Sequence, residues 1–372
     1  MGYSPVARSC SARIDVAIFG VMRQELTSQY HNRRIRWTIP DFPREATVPL
    51  DAAVDVLLLA SRIANRDPQT YIAEAAFAHE LAARNRPFAT AADPSLLFEK
   101  SVTWFLPRGM VSPSLWNYSR QVHDFAKGLE AQGNRLLCSS DEVLYWENKA
   151  YMHQRFADLG IPTPETKLLT RETWPSIPFD IEPVLIKEEH SSGSAGIRHF
   201  ETAEGARRYV ASYPFKPSES LIMQEVVPGA TKDLRLTMVG NRVIRRASFW
   251  RVKTREASSD ERWTTTASKY GSLIQHEAIP DAIVPVIARY LEALNMRVAG
   301  IDLMWVDDEV SRDPLVLEVS PYFQPNPEKP PRYAHWTYKQ YKAKPYVRDG
   351  YFREQYRVFR EIAAEISDQG LF

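Results

Sequence analysis

Residues 298–306 read Val-Ala-Gly-Ile-Asp-Leu-Met-Trp-Val, and residues 315–320 read Leu-Val-Leu-Glu-Val-Ser. Each is an apolar run of strand length that carries a single acid, Asp302 in the first and Glu318 in the second. Acids embedded in apolar strands are costly unless something compensates their charge. A hard divalent cation such as magnesium is one such partner, because it takes oxygen ligands and borrows the remainder from phosphates and water. Ordinary salt bridges at two strand ends are the alternative.

A second stretch upstream suits the phosphates that such a cation accompanies. Residues 184–197 read Val-Leu-Ile-Lys-Glu-Glu-His-Ser-Ser-Gly-Ser-Ala-Gly-Ile. An apolar strand delivers Lys187 and then opens into a loop of small residues from Ser191 to Gly196. Small side chains let backbone N–H groups approach phosphate oxygens, and the lysine adds positive charge. A turn with a snorkelling lysine is the bland alternative, but a buried, unpaired ammonium is expensive.

Composition narrows the classes. The chain has 372 residues, 44% of them hydrophobic and 25% charged, which predicts two or three folded domains. Net charge is +1, so neither nucleic acid nor an anionic membrane is an expected partner. The two cysteines, Cys10 and Cys138, have no metal-ligand spacing. Neither a secretory signal core nor a membrane-length apolar run is present, and a reducing, cytoplasmic setting is expected.

The N-terminal part alternates strand and helix patterns: strands at Ile14–Phe19, Ile35–Ile39, Val54–Ala60 and Pro87–Thr90, and a helix over Thr70–Arg84 with a stripe of Ile72, Ala75, Ala76, Ala78 and Leu81. This predicts a doubly wound parallel α/β layer. The glycine fingerprint of a dinucleotide fold is missing after Phe19, which excludes a nicotinamide or flavin enzyme. Further helices are predicted over Ser114–Gln132, from Ser139 or Ser140 through Trp146, and from Asn148-Lys149 to Leu159, with a short strand at Leu136–Cys138. The break Gly160-Ile-Pro-Thr-Pro164 marks a domain change. Strands follow at Val184–Lys187, Leu221–Val227, Leu234–Val239 and Val243–Trp250, the last two joined by a Gly240-Asn241 turn. A helix over Ala282–Asn295, the two acid-bearing strands and a last helix over Glu354–Ile366 complete the pattern.

In this order the features resemble the ATP-grasp superfamily, and within it the branch that joins amino acids to carboxylates. The resemblance spans roughly Ser140 to Asn326. It implies an N-terminal α/β layer over residues 1–139, a small central α+β lid domain over 140–228 and a C-terminal mixed-sheet domain over 229–372 that holds magnesium. It implies ATP and Mg2+ as cofactors, with Mn2+ as a substitute. The partners implied are a small-molecule or peptide carboxylate and an amine acceptor, and a homodimer is left open. Residue by residue, Lys149 and Lys187 reach the nucleotide, and Ser192, Gly193 and Ser194 close over its phosphates. Gln224, Glu225, Val226 and Val227 line the adenine hinge, where Met223 could pack on the ring, and Asp233 lies near the ribose. Among the basic residues Arg242, Arg245, Arg246, Arg251 and Lys253, and with Arg235, the resemblance implies that one arginine stabilises the acyl phosphate; Arg235 and Arg251 are the candidates. Asp302 and Glu318 hold the metal.

One departure stands out. The family reads Glu-x-Asn where this chain has Glu318-Val319-Ser320, so the third metal ligand falls to Ser320 or to Asn326 further on. The activity implied is ADP-forming amide synthesis through an acyl phosphate. A non-catalytic ATP-binding protein and an ATP-dependent phosphotransferase are the rivals on the same fold.

Overall fold

The computed structural model describes residues 39–41, 43, 44, 49, 56–58, 68–90, 118–191, 196–252, 273–336, 340, 341 and 345–371. The strand expected at Ile14–Phe19 and most of that at Ile35–Ile39 lie outside these residues.

The N-terminal part contains two parallel strands, β1 (Val56–Leu58) and β2 (Phe88–Thr90), linked through helix α1 (Pro68–Ala83). This is the strand–helix–strand unit that alternating patterns predict for a parallel layer. The expected α1 stripe is buried, but so are Tyr71, Ala73 and Phe77, because the helix is covered on more than one side. Its main partner is the last helix, α7 (Pro345–Asp368). Arg84 reaches Asp368 at 2.8 Å, and Arg360 reaches Glu80 at 2.9 Å. Helix α7 begins well before Glu354, where the sequence pattern places its start.

Helix α2 spans Tyr118–Glu130. The strand expected at Leu136–Cys138 is absent, because the Leu136 carbonyl accepts from the Arg297 guanidinium at 2.5 Å and makes no strand ladder. Helix α3 is a single turn, Ser140–Val143, capped by Ser139 with Glu142 closing the capping box. It ends before Trp146, and Glu147 adopts a left-handed φ of 51°. Glu142 also takes the Arg297 N–H at 2.7 Å and its Nη2 at 2.6 Å, tying this turn to the C-terminal domain. Helix α4 (Lys149–Leu159) starts on Asn148, whose Oδ1 accepts from the Tyr151 N–H at 3.2 Å. It stops at Gly160, which adopts a left-handed φ of 63°.

The central sheet is antiparallel, in the order β3 (Thr166–Thr170), β6 (Ser220–Glu225), β4 (Val184–Glu188), β5 (Ile197–Phe200). Helix α5 (Ala203–Ser212) covers one face, where Ala206 and Val210 join Leu169, Val184, Ile186, Leu221 and Met223 in a core. Period-two alternation turns Lys187 and Gln224 to the opposite face. Met223 is therefore core on the far side of the sheet from Lys187, not a surface for adenine.

The C-terminal sheet has the order β10 (Leu273–Gln275), β9 (Phe249–Val252), β7 (Lys232–Val239), β11 (Val298–Met304), β12 (Leu315–Ser320), with β8 (Arg242–Val243) paired to β7. The expected mixed sheet is antiparallel at every described pairing. Gly240-Asn241 forms the two-residue turn between β7 and β8. The continuous strand expected over Val243–Trp250 is broken. Ser248 Oγ accepts from the Thr237 N–H at 2.9 Å and donates to the Ile244 carbonyl at 3.0 Å, so a side chain replaces the ladder over a turn at Arg245–Ala247. One sheet face packs Leu234, Leu236, Trp250, Ala299, Ile301 and Leu303 with Ile283, Ile287 and Leu291 of helix α6 (Ile283–Ala293).

Gly300 lies on the other face, and a Cβ there would sit 2.7 Å from the Cβ of Phe323. Gly300→Ala is expected to lower stability by about 1–3 kcal/mol through overpacking, read as a reduced urea midpoint. An unchanged midpoint would mean that Phe323 does not seat against the strand.

Candidate active site

Four strands bring five charged side chains to one face of the C-terminal sheet. Across the ladder Arg251 of β9 pairs with Asp233 of β7, while Arg235 of β7 pairs with Asp302 of β11, which in turn pairs with Glu318 of β12. Asp233 and Arg235 are two residues apart and so share that face. The register between β11 and β12 shifts after Asp302, where Leu303 faces Val316. The extra residue in β12, Leu317, lets Val316 and Val319 stay in the core while Glu318 stays opposite Asp302.

The charges are paired and largely buried. Arg235 donates to both Asp302 oxygens, with Nη2 2.6 Å from Oδ2. Arg251 Nη2 also lies 2.8 Å from Asp302 Oδ2, and its Nε donates to Asp233 Oδ2 at 2.7 Å. Burial would raise the Asp302 carboxyl, but the two guanidiniums outweigh it and hold the group down at about 2. Burial pushes Asp233 up, to about 6, and the Asp302 charge adds to this against the pull of Arg251. Asp233 is fully buried, and its Oδ1 has no hydrogen-bond partner. The side chain expected beside a ribose is instead an ion-paired interior group. Arg235 and Arg251, the two arginines singled out from sequence, both reach the site. Arg242, Arg245 and Arg246 are exposed and pair with Glu365, Asp281 and Glu354. Lys253 lies outside the described residues.

The lysines stand on helix α4 and strand β4. Lys187 is buried and donates to Gln224 Oε1. Burial, helped by the Lys149 charge and opposed by the acids Glu318 and Asp302, lowers its ammonium to about 8. Lys149 is lowered for the same first reason, with Glu318 opposing. Helix α4, which carries Lys149, packs against β12, where the Val319 N–H donates to Met152 Sδ at 3.1 Å. Lys149 Nζ donates to the Ser191 carbonyl and, at 3.1 Å, to its Oγ. It thus holds the first residue of the small-residue loop. Ser192, Gly193 and Ser194 lie outside the described residues.

At the hinge, the Glu225 N–H donates to the Glu165 carbonyl at 2.9 Å and the Val226 N–H to that of Pro183 at 3.4 Å. Val227 follows directly, its side chain packed with Ala230 and Met304. Gln224 does not line the hinge, because its amide is buried behind Lys187.

The donor set fits magnesium in part. Asp302 and Glu318 supply the hard oxygens, facing each other across one strand pair. Ser320 does not: its Oγ donates to the Tyr322 carbonyl at 2.8 Å and accepts from the Tyr322 N–H at 3.2 Å, closing a turn. Asn326 Oδ1 accepts from the Tyr351 hydroxyl at 3.2 Å, anchoring the loop to α7. Both candidate third ligands are thus already engaged by neighbouring groups. Among the described residues no group of three or more His, Cys, Asp or Glu is placed to hold a metal.

Sequence reading missed His153, which lies beside Gln224. The available signal was its position one helical turn after Lys149, on the same face.

This arrangement of a central antiparallel sheet and an acid-bearing C-terminal sheet is the ATP-grasp fold. The D-alanine–D-alanine ligase from Bacillus anthracis superimposes with a TM-score of 0.50 at 11% identity, over 86% of this chain and 100% of that one. An ATP-grasp protein with a RimK domain from Sphaerobacter thermophilus aligns at 0.47 with 16% identity, over 72% and 90% of the two chains. D-Cycloserine synthetase aligns at 0.47 with 14% identity, over 83% and 99%. No protein-family model and no curated protein matches the chain in sequence. Among the described residues no helix is long and apolar enough to cross a membrane.

Arg251→Met strands Asp233 as a buried, unpaired acid. It is expected to destabilise the fold by about 3–5 kcal/mol, with much of the loss recovered in the Asp233→Asn/Arg251→Met pair. Urea denaturation of the three variants reads this; equal stability of wild type and Arg251→Met would contradict the pairing.

Proposed function

We propose that the chain is an ATP-dependent ligase that activates a carboxylate as an acyl phosphate and joins it to an amine, releasing ADP and phosphate. The observation that carries this reading is the packing of helix α4, which bears Lys149, against the C-terminal sheet whose other face carries Arg235, Arg251, Asp302 and Glu318, with Lys187 buried on the central sheet. Such a set of cations and acids suits a triphosphate with its metal. The kinship of fold with D-alanine–D-alanine ligase supports the same class.

In this reading Lys149 and Lys187 bind phosphate oxygens, and the loop through Ser192, Gly193 and Ser194 excludes water. The Val227 backbone and that of Glu225 face adenine. The substrate carboxylate attacks the γ-phosphorus and ADP leaves. The amine then attacks the acyl carbon, loses a proton, and phosphate departs. Arg235 and Arg251 stabilise the negative charge of the acyl phosphate and its tetrahedral adduct. Magnesium, held by Asp302 and Glu318, would neutralise phosphate charge. The paired state of Asp302 and the committed hydroxyl of Ser320 favour one second reading, an ATP-binding protein without turnover.

The test is incubation with Mg-ATP and pooled carboxylates and amines, resolving nucleotides and new masses, with Lys187→Ala as control. ADP with a condensed mass, lost in the variant, establishes the ligase and names its substrates. AMP would exclude the acyl-phosphate route, and a stable phosphorylated product would make the chain a phosphotransferase. Intact ATP that protects the fold against heat would establish the binding-only reading.

Lys187 also sets a pH dependence. Its ammonium in the free chain loses its proton through about 8, so the full charge is present below that and fades above it. Nucleotide affinity is therefore expected to fall as pH rises past 8. Lys187→Arg, which stays charged, should flatten the decline in titrations with a fluorescent nucleotide.

A further inference from the structure

Lys187 does not stand alone behind the proposed phosphate site. Its Nζ donates to Gln224 Oε1, and the amide nitrogen of Gln224 points the other way. That nitrogen donates to Thr166 Oγ1 at 2.9 Å and lies 3.3 Å from His153 Nε2. All three polar side chains of this chain of contacts, Lys187, Gln224 and His153, are buried.

The directions of these bonds are dictated by chemistry. An ammonium has no acceptor, so Oε1 must be the end of the amide that faces it. The NH2 end then needs two acceptors. Thr166 qualifies, because its own hydroxyl proton goes to the Pro164 carbonyl at 2.7 Å. His153 qualifies only if Nε2 carries a lone pair, which puts the ring proton on Nδ1, facing Thr163 Oγ1 at 3.4 Å. The ring is kept neutral by burial and by the charges of Lys187 and Lys149. An edge-to-face contact with Phe156, at 5.6 Å between centroids, fixes its plane. Both N–H bonds of the Gln224 amide therefore have an acceptor, and reversing the amide would set NH2 against the lysine.

We infer that His153 is a positioning residue for Lys187: through Gln224 it fixes the amide oxygen against the ammonium and so holds the lysine in place and charged. This rests on the ligase reading only for what Lys187 binds. The charged groups around the lysine are Lys149, Glu318 and Asp302.

The test reads Lys187 without activity. Trace acylation of the ligand-free protein, resolved by residue in a mass spectrometer across pH, gives the pH of half-labelling at Lys187. His153→Phe is expected to lower it by about one pH unit, since an acceptor that favours the charged form is loosened. His153→Gln, which restores an acceptor, should return it most of the way. Thr163→Val, a milder change that removes only the partner of Nδ1, should give a smaller shift of the same sign and keeps the test open if His153→Phe does not fold. In nucleotide titrations the same order of variants should weaken binding several-fold. A folded His153→Phe or Thr163→Val with the wild-type labelling curve would overturn the inference. Protection of Lys187 by ATP in the wild type separately tests the nucleotide reading: a labelling shift without such protection upholds the role of His153 and removes ATP as the ligand.

Discussion

Asp302 held between Arg235 and Arg251 is the constraint on which the C-terminal sheet depends. A carboxylate that deep in a sheet face is tolerable only when its charge is matched. The match here is made by neighbouring strands, Arg235 directly opposite on β7 and Arg251 one strand further on β9. A slip of one residue in any of these strands would turn its charged side chain into the core against α6 and its apolar residues out. The ion network therefore specifies the register as well as the site. Chemistry and fold share the same residues.

The central sheet works on the same alternation with the opposite economy of charge. Val184 and Ile186 go into the α5 core, and Lys187 goes to the other face, where it meets no carboxylate hydrogen-bond partner but a neutral amide. A cation solvated by one amide oxygen is under-compensated, which is why burial moves it to about 8. An anion arriving at that face would find a positive charge already desolvated and held in place. The acid on the C-terminal sheet is over-paired, and the lysine on the central one is under-paired.

Much of this was legible because local signals carried it. Asn148 and Gly160 bound α4 through a side-chain cap and a left-handed backbone, both short-range effects. Lys187, Asp302 and Glu318 stood out as single charges in apolar strands, and the Gly240-Asn241 hairpin follows from turn chemistry. What the sequence hid depends on distant partners. The strand expected at Leu136–Cys138 is prevented by Arg297, 161 residues along the chain from Leu136. The break at Arg245–Ala247 exists because Ser248 bonds to Thr237 on the neighbouring strand. Asp233 and Met223 were assigned to the nucleotide from order along the chain, whereas the pairing with Arg251 and the α5 core decide where each side chain goes. Arg242, Arg245 and Arg246 look like Arg251 in sequence and differ from it only in what faces them.

Ser320 has a structural role. Ser320 ends β12, and its hydroxyl closes the turn through both backbone groups of Tyr322. That turn sends Phe323 across Gly300, where no side chain leaves room for the ring. The loop then continues to Asn326, whose Oδ1 accepts from Tyr351, while Gln355 donates to the Pro325 carbonyl at 2.9 Å and to the Tyr351 hydroxyl at 2.8 Å. The turn leads into the proline-rich loop, which Asn326 and Gln355 fasten to α7. Of the two facing carboxylates, Asp302 is already shared between two arginines, so a change at Arg235 or Arg251 reaches the loop and the sheet together.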